Sequence, residues 1–379
     1  MITHPVAVFL VLAVVVWVSI RLEARYTLCR SLSAALLGIL LAMVLSNAGI
    51  IPGTSRAYDY LTDPGVSLGI VLILLSVDAR TVLKAGPMML AAFGLGALGT
   101  AAGSFVSALV FAPMVGPETW KLAGQFTGTY TGGGVNFAAL GQAFDTSSEV
   151  FSAAIAADVL VTALWMMSCL AAPVVFGRSK PSLKVRTHAE PGDTMTLEKA
   201  LYSSGMPMRL SDAGALVVIA VGSVWAAGKL QALIPLLPDV LWLTTIALAV
   251  AQIPAVKRLS GAAMWGYYLL LLFLSTNGAQ SVITSILKVG PAVLYFAIGT
   301  VLLHGAAIFG LGRLFRIELA TLVVASQANV GGPASAMALA TARGFTDKLL
   351  PGVAVGLLGY AVGNYSGFLI GALVRGIVG

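Results

Sequence analysis

Two stretches of this chain are polar and glycine-rich inside otherwise apolar sequence, and these residue types could bind a solute. Residues 124–136 read GQFTGTYTGGGVN and residues 325–335 read ASQANVGGPAS. Consecutive glycines interrupt a helix, and an interruption frees N–H and C=O groups that a helix would pair. The first stretch sets the hydroxyls of Thr127, Thr129, Tyr130 and Thr131 and the amide of Asn136 around Gly132, Gly133 and Gly134. The second sets Ser326, Gln327, Asn329 and Ser335 around Gly331, Gly332 and Pro333. Hydroxyl, amide and carbonyl oxygens suit a hard cation. The N-termini of half-helices carry partial positive charge and suit an anionic group. The chemistry implied is binding of a small anionic or zwitterionic solute, with a cation alongside.

One acid lies deep in an apolar segment. Asp158, in AIAADVLVT, falls roughly 11 residues, or ~16 Å, along its helix, near the middle of a hydrocarbon layer. Intramembrane ionisable groups are functional candidates by default. The cation-coupling set is therefore Asp158 with Asn136, Asn329 and Asn364, the last in GYAVGNYSG at a comparable depth. Asp78, with Arg80 two residues on, reads as a solvated charge at a segment end. His304 reads as a packed histidine, and the tryptophans need no role beyond membrane interfaces. Cys29 and Cys169 have no CxxC spacing and hold no metal cluster.

The elements that must position these residues are membrane helices. Hydrophobic residues make up 58% of the 379, charged residues 10%, and the mean hydropathy is +0.95. A soluble domain of this size needs roughly 25% charged residues to cover its surface. The net charge of +7 does not indicate nucleic-acid binding, because the basic residues sit in short loops between apolar segments. Three histidines without an HExxH motif argue against an enzyme. The missing GxxxxGK[ST] loop argues against ATP as the driver. No cofactor or metal centre is expected beyond a coupling Na+.

Apolar segments fall at 5–20, 31–50, 64–79, 86–112, 118–143, 147–176, 212–232, 238–254, 260–276, 288–312, 318–343 and 347–375. The one long polar stretch is 177–211. Residues 5–20 lack a basic n-region, so they read as a retained first helix, not a signal peptide. Gly86-Pro87 and Gly290-Pro291 open corresponding segments upstream of the two glycine-rich stretches, so the halves read as a repeat of roughly 170 residues. Loop charge decides their orientation. If 118–143 and 318–343 are re-entrant hairpins, only Arg56, Lys121, Lys229, Lys288 and Arg375 of the 22 Lys and Arg lie outside, as the positive-inside rule requires. Full crossings scatter the charge over both sides. The expected fold is an all-α polytopic membrane protein of about 10 transmembrane helices plus two re-entrant hairpins, an inverted repeat (5+5) of elevator-transporter type. The first repeat is 1–176 with hairpin 118–143, the linker is 177–211, and the second repeat is 212–379 with hairpin 318–343. The chain would sit in the inner membrane, N-terminus outside and 177–211 cytoplasmic.

GTYTGGGVNFAALGQAF, ASQANVGGPASAMALA and GYAVGNYSG resemble, in order, the conserved blocks of the DUF819 family of bacterial and plastid membrane proteins, over nearly the whole chain. The resemblance implies architecture more than substrate. The hairpin and inverted-repeat plan is also similar to the sodium:glutamate and 2-hydroxycarboxylate symporters, an analogy of fold only. The expected function is secondary transport of a carboxylate, amino acid or short peptide coupled to Na+ or H+, in a homodimer. A channel and a non-transporting receptor or assembly protein are the alternatives.

Overall fold

The computed structural model describes residues 1–176, 208–235 and 237–378. Nearly all of the expected linker at 177–211 lies outside the described residues. Among them every element is helical: α1 (Pro5–Arg25), α2 (Thr27–Asn47), α3 (Arg56–Tyr60), a π turn at Leu61–Gly65, α4 (Val66–Leu74), α5 (Ala79–Leu83), α6 (Pro87–Val115), α7 (Thr119–Gly132), α8 (Gly134–Ala143), α9 (Ser148–Phe176), α10 (Leu210–Leu233), α11 (Asp239–Ala251), α12 (Ala262–Gln280), α13 (Ile283–Leu314), α14 (Leu319–Arg343) and α15 (Leu349–Val378).

Six helical segments are long and apolar enough to cross a membrane: Pro5–Arg25, Pro87–Val115, Ser148–Pro173, Leu210–Leu233, Leu287–Leu314 and Thr346–Val378. The chain is a multi-pass membrane protein. Length and hydropathy do not by themselves yield ten crossings. The apolar segment expected at 64–79 contains only nine helical residues in α4, and α11 has 13. At 1.5 Å per residue these reach ~14 and ~20 Å, short of a ~30 Å hydrocarbon layer. The two Gly-Pro pairs also differ. Gly86 has φ +82 and starts α6, whereas α13 runs back to Ile283 and carries Pro291 in its interior.

Contacts between distant segments sort the helix ends into two groups. In one, Ile2 N–H donates to Ile50 C=O (2.8 Å), Asn47 Nδ2 to Ser281 C=O (2.9 Å) and Ser281 Oγ to Ser148 C=O (2.8 Å). Arg375 lies over the Trp120 ring at 4.7 Å in the same group. In the other, Asp78 pairs with Lys257, Ser260 Oγ donates to Asp212 (3.1 Å), and Lys348 pairs with Glu318 (3.0 Å). Asp78 is therefore an ion-paired cap on α5, also accepting from Arg80 N–H (3.1 Å), and not a freely solvated charge.

The two glycine-rich segments each turn back on themselves. In the first, α7 stops at Gly133, whose φ of +96 only glycine adopts without strain, and α8 returns antiparallel to it. Gln125 Nε2 reaches Phe137 C=O (3.4 Å) and its Oε1 accepts from Thr146 (3.0 Å). Glu118, just before α7, accepts from both Ser147 N–H (2.8 Å) and Ser147 Oγ (2.6 Å), just before α9. The limbs thus start and end together. In the second, α14 breaks at Gly332, φ +75, with Pro333 next. The Glu318–Lys348 pair joins its start to the segment after its end.

The last helix holds both breaks in place. Glycines at 352, 356, 359, 363, 367 and 371 line one side of α15, the small-residue spacing that lets membrane helices approach closely. A methyl group added to Gly359 would sit 2.6 Å from Gly132 Cα, and one added to Gly356 would sit 2.6 Å from Pro333 Cα. Either would push α15 off a hairpin.

Candidate functional site

The two breaks meet. A side chain built on Gly133 would lie 3.6 Å from Gly332 Cα, and one on Gly332 would lie 3.3 Å from Gly132 C=O. Tyr360 closes the junction from α15, its ring 3.7 Å and its hydroxyl 3.8 Å from those same positions. Gly134 is exposed at the tip, and Gly331 and Ser335 are half-exposed across from it. Space therefore reaches the tips, although the helices around them are buried.

Buried polar atoms without a protein partner gather on these two segments. Thr129, Thr131, Asn136 and Gln327 are all 0–1% exposed. The hydroxyls of Thr129 and Thr131, the Asn136 carbonyl oxygen and both ends of the Gln327 amide have no hydrogen-bond partner among the described residues. A buried polar group left unpaired costs ~1–3 kcal/mol, so several in one place need an explanation such as a ligand or water. Most are oxygens, which suit a hard cation. The other end of the Asn136 amide is used, since Nδ2 donates to Gly359 C=O (2.9 Å) and Gly128 C=O (3.3 Å). That bond fixes the side chain and leaves its oxygen free.

Asp158, on α9, lies beside the Tyr130 phenol of the first hairpin, and Thr162 one turn on donates to its carboxylate (3.4 Å). Its residue is half-buried. Tyr130 itself is fully buried, stacked on Phe126 at 5.5 Å.

The other expected coupling residues lie elsewhere. Asn329, with its amide oriented to satisfy both groups, donates to Ala325 C=O (3.1 Å) and Phe93 C=O (3.3 Å), which ties α14 to α6. Asn364 Nδ2 donates to Thr244 Oγ1 on α11 (2.9 Å), and its oxygen has no partner. The structure does not gather Asp158, Asn136, Asn329 and Asn364 into one shell. It joins Asp158 to Tyr130, Asn136 to Gly132 and Gly359, and Gln327 to Gly331 and Ser335.

A chain of hydrogen bonds, not foreseen from sequence, connects the two hairpins around the far side. Thr100 on α6 donates to Tyr130 C=O (2.9 Å) and lies 3.0 Å from His304 Nδ1. His304 Nδ1 also faces Gly96 C=O at 2.9 Å, and Nε2 faces Ser326 Oγ at 2.9 Å. A carbonyl only accepts, so Nδ1 carries the proton and Nε2 accepts from Ser326. Ser326 in turn accepts from Trp165 Nε1 (2.9 Å). Every group is satisfied with a neutral imidazole. A second ring proton would leave Ser326 facing two donors. Trp165 is thus a packing partner of the second hairpin and not an interfacial anchor. The available signal was composition alone, a histidine and a tryptophan in apolar segments, and spacing does not reveal that they converge.

Paired chain breaks at the centre of a helical bundle, with unpaired polar atoms around them, define a polytopic α-helical membrane protein with an internal polar site. The chain belongs to the DUF819 family, described as a protein of unknown function, which its residues 6–377 match. It is 30% identical over 374 residues to YjcL of Bacillus subtilis, described as an uncharacterized membrane protein, with 94% of each chain covered.

Proposed function

We propose that this protein is a secondary active transporter that carries a small anionic or zwitterionic solute, coupled to Na+ or H+, by alternating access. The observation that carries the reading is the contact of Gly133 with Gly332 amid buried, unpartnered polar atoms. Irregular backbone at membrane depth is tolerated only inside protein or against a water-filled cavity. A 14-residue limb such as α7 reaches ~21 Å, beyond the middle of a ~30 Å layer. Hairpins inserted from opposite faces would therefore meet near the midplane, where such carriers bind substrate. The two groups of helix ends support this arrangement, since Glu118 falls in one and Glu318 in the other.

In this reading the inverted repeat has ten crossings and two re-entrant hairpins. Thr129, Thr131, Asn136 and Gln327 supply the polar contacts to solute and ion. Asp158 carries the coupling charge, with the Tyr130 phenol beside it. Both hairpins move with α15 against the remaining helices, and two copies pair through the latter in the inner membrane. It is a carrier and not an enzyme, and it uses no cofactor.

The test is uptake into liposomes containing the purified protein, with radiolabelled carboxylates, amino acids and short peptides as substrates. Saturable uptake driven by a Na+ or H+ gradient is expected for at least one of them. Asp158→Asn should abolish the gradient dependence while elution and melting temperature stay unchanged. Non-saturating electrogenic flux would replace the carrier by a channel. Gradient-driven uptake that survives Asp158→Asn would remove Asp158 from coupling.

A further inference from the structure

A large cavity lies away from the hairpin tips. It measures about 700 Å³ and lies where the C-terminal ends of α9 and α13 meet the start of α14. Phe309, Ile317, Leu319 and Leu322 make an apolar wall, and Arg313 and Arg316 stand in its lining. Both arginines are exposed, and neither guanidinium has an ion-pair or hydrogen-bond partner among the described residues. Glu318, the nearest acid in sequence, is engaged by Lys348 (3.0 Å).

The backbone at Arg316 is a second, independent sign. Four helices end on a residue in the left-handed region, with the following N–H donating back to the sixth residue: Ile50 to Leu45, Thr146 to Gly141, Ile317 to Gly312 and Phe345 to Ala340. Glycine is the usual occupant of that position, and it fills two of the four, Gly49 and Gly344. The others are Asp145 (φ +51) and Arg316 (φ +56), and each lines a cavity. A side chain larger than glycine there costs ~1–2 kcal/mol, and such outliers cluster where a ligand is held. The turn also projects Leu314 and Phe315 outward, 72% and 63% exposed, as befits the boundary between acyl chains and headgroups.

We propose that this cavity binds an anionic phospholipid, its phosphate on Arg313 and Arg316 and its acyl chain along Phe309, Ile317 and Leu322. Guanidinium groups with no partner among the described residues, set over an apolar slot, complement an amphiphile with an acidic head and a hydrocarbon tail. Because Leu319 and Leu322 belong to the first turn of α14, a seated lipid would brace the second hairpin against α9 and α13.

The test is melting temperature in detergent against added phosphatidylglycerol, phosphatidylcholine or inorganic phosphate, with native mass spectrometry to count bound lipid. Phosphatidylglycerol should stabilise the protein at lower concentration than phosphatidylcholine, and phosphate should not stabilise it. Arg313→Gln with Arg316→Gln should weaken the phosphatidylglycerol effect by roughly tenfold to thirtyfold. Ser168→Leu, which narrows the cavity with both arginines retained, should weaken it as well, and it carries the test if the double variant does not fold. Lys229→Gln, at the far end of α10, should leave it unchanged. An undiminished lipid preference in both cavity variants, or equal stabilisation by phosphate, would overturn the proposal.

Discussion

The two hairpins share a plan but are held in different ways. In the first, the return limb is buried from Val135 to Gly141, and its outgoing limb lies backbone to backbone on α15. Its limbs are cross-braced by Gln125 and clamped by Glu118, whose side chain is 22% exposed. In the second, Ala334, Ser335, Met337 and Ala338 of the return limb are only half-buried. Its clamp uses Glu318, 64% exposed, and its firmest tie is side-chain chemistry, Ser326 between His304 and Trp165. A segment with fewer buried contacts opens at lower free energy. Within the unit that both hairpins form with α15, the first hairpin is therefore the fixed wall of the site and the second the element able to open.

Matched glycine substitutions should separate them most widely. A methyl group on Gly132 collides with the Gly359 carbonyl group, backbone against backbone, so nothing can rotate away. Gly132→Ala should cost about 3 kcal/mol and lower the yield of folded protein. At Gly331 the same methyl meets Ser335 Oγ at 2.5 Å and Gln327 Nε2 at 2.6 Å, ends of side chains that have other rotamers, and Ser335 Cβ at 2.6 Å, which yields only by a shift of the half-buried return limb. Gly331→Ala should cost about 1 kcal/mol. Thermal unfolding in detergent reads both, and equal losses would erase the distinction between wall and moving element.

The hydrogen-bond chain through His304 gives the next contrast. Ser326→Ala strands His304 Nε2 and Trp165 Nε1 together, a loss of about 2–3 kcal/mol. Thr100→Val removes only the bond to Tyr130 C=O, because Nδ1 keeps Gly96, and should cost about 1 kcal/mol. If Thr100→Val proves the worse, the chain is anchored at the first hairpin and the assignment of roles reverses. Little of this was legible beforehand. The breaks at Gly133 and Gly332 could be read because consecutive glycines beside polar residues are costly in lipid without a purpose, and they occur twice. Asn329 and Asn364 could be read as deep amides, but not that their N–H groups are spent on Phe93 and Thr244. Helices that face lipid and helices that face one another are equally apolar, so the sequence around Trp165 or His304 carries no record of which neighbour it meets. Only the glycines of α15 carry such a mark, a small residue at every third or fourth position along a packed side.

The clamps give the smallest effect and the most specific one. Glu118 accepts a backbone N–H and a hydroxyl from Ser147 at 2.8 and 2.6 Å. Hydrogen bonds to a charged acceptor are worth about 1.5–3 kcal/mol, so Glu118→Ala should lose about 2 kcal/mol, and salt should alter only the minor share that comes from its ion pair with Lys121 (3.3 Å). Glu318 holds Lys348 across a solvated gap, where an ion pair contributes about 0.2–1 kcal/mol and is screened. Glu318→Ala should therefore lose under about 1 kcal/mol at low ionic strength and almost nothing near 1 M salt, where the Debye length falls to about 3 Å. The informative quantity is the salt dependence, not the size. A clamp that weakens with salt leaves the base of the second hairpin free to part, while one built on a backbone bond keeps the first closed. If both variants respond to salt alike, the bases of the two hairpins are equivalent, and any difference in mobility must arise at the tips.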